Sequence, residues 1–256
     1  LMDSSGKKLT TYITTNVMIV SYFFALFIPR FNDIARCYLI SKTNNIKIST
    51  SLGTVFSERI FDLISLLILS AIFILIEFDL FYGFIENYVL SNIEFNTTTY
   101  LLIFGSLIVL FFILRYFSKK SSFISSNLNE FKLGVLTIKE NYKNKGFLIS
   151  TFLLWLIYFL MGYVIFFSFT ETTDLGVNAG IAVLVAGSIG MIVPVNAGIG
   201  AYHFLVASIL LSYNLDYESG LFFATLLHTS QIVCLAILGI ISSIILFFKI
   251  KSNNEY

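Results

Sequence analysis

The chain has 256 residues, of which 57% are hydrophobic, 17% aromatic and only 12% charged, with a net charge of +1. Soluble domains are about a quarter charged. This composition cannot cover a water-facing surface, and the near-neutral balance excludes a basic field for nucleic acid. The chain is therefore read as an integral membrane protein.

Apolar runs of about 20 residues, the length a ~30 Å hydrocarbon core requires, place helices at 10–28, 51–76, 98–117, 147–170, 177–193, 200–213 and 219–248. A shorter helix, 30–41, follows Pro29. Phe and Leu fill these runs without the alternation of a membrane barrel, so the fold class is all-α: a polytopic helical bundle forming one transmembrane domain over 1–256. The polar connection 118–146 carries Phe123, Leu128, Phe131, Leu133, Leu136 and Ile138 among lysines. It reads as an amphipathic helix at the cytoplasmic membrane surface or as a solvated loop.

Charge sets the orientation. Lys and Arg concentrate at Arg30–Arg59, Arg115–Lys145 and Lys249–Lys251, whereas 77–97, 171–176 and 214–218 carry acids alone. The positive-inside rule puts the first three groups in the cytoplasm. Helices 147–170 and 219–248 then both meet the outer side, so 177–193 and 200–213 leave from it and return to it. A re-entrant hairpin satisfies this; two short full spans remain the alternative. Lys7 and Lys8 before Pro29, with Arg30 and Arg36 after it, describe a second hairpin entering from the inside. Two broken hairpins of opposite orientation suggest an inverted repeat.

Between Leu175 and Leu215 there is no charged residue, yet Pro194–His203 reads PVNAGIGAYH. Pro194, Gly198 and Gly200 break a helix there as Pro29 does in the first hairpin. Broken backbone at membrane depth survives where protein or a wet cavity satisfies it. A simple kink or a turn between two spans is the plain alternative.

Three clusters could carry chemistry. Asp33 and Arg36 lie one turn apart, as do Arg59 and Asp62, and Glu58 shares a face with Asp62. Arginine forks suit phosphate, so Arg36 and Arg59 are candidates for a lipid phosphate. Glu58 and Asp62 would hold them or meet a cationic headgroup. A salt-bridge staple at the cytoplasmic interface reads equally well. The second cluster is Pro194, Asn196, Gly198, Gly200, Tyr202 and His203, where a helix N-terminus could receive phosphate or glycines could simply pack helices. The third is His228 and Gln231, one turn apart, able to contact a headgroup or relay protons, or merely to bond a neighbouring helix.

No catalytic residues, metal ligands or cofactor emerge. Cys37 and Cys234 read as small hydrophobes, and no phosphate-binding GxxxxGK[ST] loop is present, so nothing in this chain drives transport with ATP. Asn96-Thr97-Thr98 fits a glycosylation sequon that arises readily by chance.

IPRFNDIARC (28–37), GTVFSERIFDL (53–63), GMIVPVNAGIGAYHFLV (190–206) and HTSQ (228–231) together resemble the flippase-like family typified by the transmembrane domain of lysylphosphatidylglycerol synthase, especially stand-alone Bacteroidetes-type members. The resemblance implies a multi-pass lipid translocase of the bacterial inner membrane, moving a phospholipid or lipid-linked precursor between leaflets. Membrane lipid is then the expected partner, and a homo-oligomer or a partner synthase stays open. The implied path runs from Arg36 and Arg59 past His203 and His228. The soluble synthase domain is not found, so synthase activity is not carried over. Relatives with one or two further leading helices suggest an N-terminally truncated chain, which its start at Leu1-Met2 fits. The family usually has Gly-Glu where this chain has Asn32-Asp33, which raises a question of backbone geometry at Asn32, and commonly Gly-Gly where it has Ala197-Gly198. The alternative function is an intramembrane enzyme or accessory subunit acting on lipid-linked glycans, with Asp33 and Glu58 as acid–base candidates. A purely structural role is the third.

Overall fold

The computed structural model describes residues 10–84 and 142–254, apart from residue 45, with isolated positions at 86, 105, 108 and 136. The expected helix 98–117, the sequon and nearly all of 118–146 lie outside the described residues.

Every regular element described is helical. Helix α1 (Thr11–Ala25) ends four residues before Pro29, whose ring forbids a continued helix, and α2 (Asn32–Asn44) resumes after the break. Helix α3 (Ile48–Ile76) is followed by a short α4 (Phe78–Phe84). Helix α5 (Lys145–Ile165) starts where the Asn144 side chain accepts a hydrogen bond from the Phe147 N–H at 3.2 Å. After one 3₁₀ turn (Phe166–Ser168) and the single turn α6 (Thr170–Thr173), α7 (Val177–Ile192) and α8 (Ala201–Leu211) flank the second break. Helix α9 (Tyr217–Asn254) closes the chain. Asp216 caps it, accepting hydrogen bonds from the Ser219 N–H (2.9 Å) and hydroxyl (2.8 Å). Those two donors hold the exposed Asp216 carboxyl below the usual carboxylate range.

Ile48–Ile76, Lys145–Ser168 and Tyr217–Lys251 are long and apolar enough to cross a membrane. At 1.5 Å per residue, α1, α2, α7 and α8 reach only about 23, 20, 24 and 17 Å, short of a ~30 Å core. Large apolar side chains face outward along the long helices, among them Leu75, Phe152 and Phe247, as expected of surfaces solvated by lipid.

The elements repeat in kind. Short helix, break, short helix and long helix describe α1–α2–α3 and again α7–α8–α9. The packing is reciprocal: α1 lies on α9 and α7 on α3, while each hairpin pairs its own arms. This exchange of partners is what a pseudo-two-fold axis produces, and it agrees with the repeat expected from the two prolines.

Two cores hold the bundle. The larger joins α7, α8 and α9, where Phe166 of the 3₁₀ turn packs tilted against Phe223 (centroids 4.9 Å apart) and Ala179, Ala182, Ala186, Ala207 and Ala224 let the backbones approach. Small residues drive helix contact where lipid removes the hydrophobic difference. The smaller core sets Val17 and Val20 against Ile40, Ile46 and Leu246.

Candidate functional site

Both breaks open on one cavity of about 710 Å³. Its walls come from α1, the first break, α2, α3, α5, α7, the second break, α8 and α9. Helix α5 contributes a stripe through Thr151, Trp155 and Tyr158 to Gly162, residues spaced three or four apart on one helical face, with Ser150 beside it.

The charged residues of α2 and α3 meet at this cavity as one network. The Arg59 fork grips Asp33, with Nη2 to Oδ1 at 2.8 Å and Nε to Oδ2 at 3.2 Å, and its Nη1 reaches Asp62 at 3.0 Å. Arg36 is buried, its side chain 6% exposed. Its Nη1 pairs with Glu58 at 2.7 Å, and Nη2 lies 3.7 Å from Asp33 without a hydrogen bond. The sequence spacing captured the i,i+3 pairs. A salt-bridge staple between two helices was also expected, and the structure supplies its partners: Arg36 with Glu58 and Arg59 with Asp33.

Arg59 lies eleven residues beyond Ile48, about 17 Å along α3. His228 lies eleven residues beyond Tyr217, about 17 Å along α9. Ionisable groups in an apolar helix are costly unless paired or wet; Arg36, Arg59 and their carboxylates are paired across α2 and α3 and line the cavity.

The second cluster divides. Ala197, Gly198, Tyr202 and Gln231 line the cavity, whereas His203, His228, Pro194, Asn196 and Gly200 do not. The histidines form a layer behind Tyr202. The His228 ring lies 4.6 Å from Tyr202 and 5.1 Å from His203, between centroids. His228 is 3% exposed, and its Nδ1 has no hydrogen-bond partner. His203 Nδ1 accepts the Gly200 N–H at 3.3 Å, which occupies one of the helix-start donors expected to receive phosphate. Of the four residues expected to meet a headgroup here, Tyr202 and Gln231 face the chamber, and His203 and His228 do not line it.

Backbone geometry differs at the two breaks. Asn32 opens α2, and the left-handed residue is Arg30 (φ 61°), two positions earlier. At the second break Ala197 is itself left-handed (φ 50°), followed by Gly198 (φ 76°). A left-handed non-glycine residue is strained by about 1–2 kcal/mol, and glycine's extra chain entropy returns about 0.5–1 kcal/mol of that. Ala197→Gly is expected to stabilise the protein by about 0.5–1 kcal/mol, read as a raised midpoint of thermal unfolding in detergent. A lowered midpoint contradicts this account.

Sequence reasoning passed over Arg30, Trp155 and Tyr158, which also line the cavity. The Trp155 indole N–H is buried without a partner. The signal was present: Thr151, Trp155 and Tyr158 are polar-tipped residues at helical spacing in an otherwise apolar run.

The family described as lysylphosphatidylglycerol synthase TM region matches residues 1–239. The chain is also similar to UPF0104 membrane protein MJ1078 of Methanocaldococcus jannaschii, with 30% identity over 204 residues, 78% of this chain and 82% of that one. No solved structure matches. The chain is thus a membrane protein that belongs to the lysylphosphatidylglycerol synthase transmembrane family.

Proposed function

We propose that this protein translocates a polar-headed membrane lipid, a phospholipid or a lipid-linked precursor, across the cytoplasmic membrane. One observation carries the reading: a single chamber of about 710 Å³ is shared by both broken hairpins and by the charged network of α2 and α3. Small-molecule sites typically span about 300–1,000 Å³, so a headgroup fits while its acyl tails stay in lipid. The headgroup enters from the cytoplasmic leaflet, passes Asp33, Arg36, Glu58, Arg59 and Asp62, and moves along the Trp155–Tyr158 stripe towards Tyr202 and Gln231. The short hairpins are re-entrant and oppositely oriented, and the reciprocal packing of the two repeats supports alternating exposure of the chamber. A lipid or proton gradient drives net movement.

The test is leaflet exchange of a fluorescent phospholipid in proteoliposomes, read by dithionite quenching. Wild type is expected to exceed protein-free vesicles, with Arg59→Ala and Gln231→Ala at least tenfold slower. Equal rates in wild type and both variants overturn the proposed path. A new lipid species in extracts of expressing cells, without altered sidedness, replaces translocation with an enzymatic role on lipid-linked glycans.

A further inference from the structure

The two hairpin tips touch. Arg30, on the left-handed turn after Pro29, donates from Nη2 to the carbonyl oxygen of Ile192, the last residue of α7. The contact joins residues 162 positions apart and links the two structural repeats at their broken ends. Its chemistry is a cation on the negative end of a helix, satisfying a carbonyl with no intrahelical donor.

Arg30 also lines the chamber, and it differs there from the other two arginines. Arg36 and Arg59 are bound by carboxylates at 2.7–3.2 Å. Among the described residues Arg30 alone of these three has no carboxylate partner; its partner is a neutral carbonyl. A guanidinium carries five donors, so one hydrogen bond leaves most of its capacity unused. Bonds between ionised groups are roughly twice as strong as neutral ones, and a phosphate takes an arginine fork in two parallel bonds. At Arg36 and Arg59 an entering phosphodiester competes with carboxylates already bound, and the Nη2 of Arg36, which has no hydrogen bond, is buried. To win Arg30 it displaces only a carbonyl.

We propose that Arg30 is the group that takes the phosphate of the transported molecule, and that taking it releases the tip-to-tip contact with Ile192. This rests on the translocation reading and adds to it a recognition residue and a latch. Arg30 forms no ion pair with Asp33, Glu58 or Asp62, so an anion bound at Arg30 disrupts no existing one.

The protein supplies its own reporter, because Trp155 is its single tryptophan and lines the same chamber. Full-length protein in detergent is titrated with dihexanoylphosphatidylglycerol and, separately, with glycerophosphate, while Trp155 emission is followed. A second measurement uses spin labels on Ile28→Cys and Ile199→Cys, exposed residues beside the two tips, with Cys37 and Cys234 replaced by alanine. Wild type is expected to bind the short-chain lipid saturably, with the interspin distance shifting to longer values. Arg30→Gln is expected to bind about tenfold or more weakly, the scale of a lost charged hydrogen bond, and to lack the distance shift. Arg30→Lys, which keeps the charge, is expected to recover most of the affinity, and this guards against a folding defect in the glutamine variant. Equal affinity in wild type and Arg30→Gln, or an unchanged distance on binding, overturns the assignment while leaving leaflet exchange intact. A response to glycerophosphate as strong as to the lipid keeps Arg30 as the phosphate group but overturns the lipid as its source. No wild-type response to either probe overturns the assignment outright, and the proteoliposome assay then decides translocation by itself.

Discussion

Arg36→Met is expected to destabilise the protein by about 3 kcal/mol and to abolish leaflet exchange. The methionine keeps most of the buried volume and removes only the charge. What remains is Glu58, which loses a partner at 2.7 Å, and Asp33, which loses one at 3.7 Å. Breaking a buried pair on one side costs about 3–5 kcal/mol, because the abandoned charge is left in a poor solvent. The Glu58 side chain is 34% exposed to the cavity, so water recovers part of that cost and the lower end applies. Glu58→Gln alone leaves the buried Arg36 cation with Asp33 at 3.7 Å as its remaining carboxylate and is expected to cost a similar amount. The double variant, with neither charge, is expected to be more stable than the sum of the singles by about 2 kcal/mol, within the range of coupling between contacting residues. Arg59→Met should cost less than Arg36→Met, since its side chain is 41% exposed and water screens its partners. Chemical unfolding in mixed micelles measures all four. Strict additivity of Arg36→Met and Glu58→Gln would show that the pair is not coupled and would remove the network as the chamber's organising element.

The broken helices were legible because their cause is local. Pro29 and Pro194 stop a helix wherever they fall, and the apolar lengths on either side bound the arms to within a few residues. The charged residues were legible as a group, since ionised side chains in apolar helices are few. Their partners were not. Arg59 binds Asp33 across 26 residues and Arg30 binds Ile192 across 162, and neither distance leaves a trace in spacing. The place of the histidines has a geometric origin. Residues three apart on a helix differ by about 60° around its axis. That angle is enough to put Gln231 on the chamber wall and His228 in the seam behind Tyr202. Helix α4 was passed over because Glu77 and Asp79 made its seven residues look like part of an acidic connection.

The other large effect is expected at Gly190, two residues before α7 ends. A Cβ there would stand 2.7 Å from the Tyr202 Cα, 2.9 Å from its nitrogen and 3.1 Å from the Ala201 carbonyl oxygen. All three are backbone atoms, so no rotamer change relieves the clash; the arms of the second hairpin must separate. Overpacking costs about 1–3 kcal/mol, and a clash against main chain belongs at the top of that range. Gly190→Ala is therefore expected to destabilise the protein by about 3 kcal/mol. Gly176→Ala, at the start of the same helix with φ −81° and nothing within 4 Å of an added Cβ, should be nearly neutral. The comparison separates a packing cost from any general intolerance of side chains on α7. The functional consequence follows from position. Separating α7 from α8 moves Ile192, the carbonyl that receives Arg30, and displaces Tyr202 from the chamber wall. Leaflet exchange in Gly190→Ala should fall below wild type even at temperatures where the variant remains folded. If the variant melts within about 0.5 kcal/mol of wild type, the second hairpin is looser than this geometry describes. It could not then hold a fixed wall opposite the charges of α3.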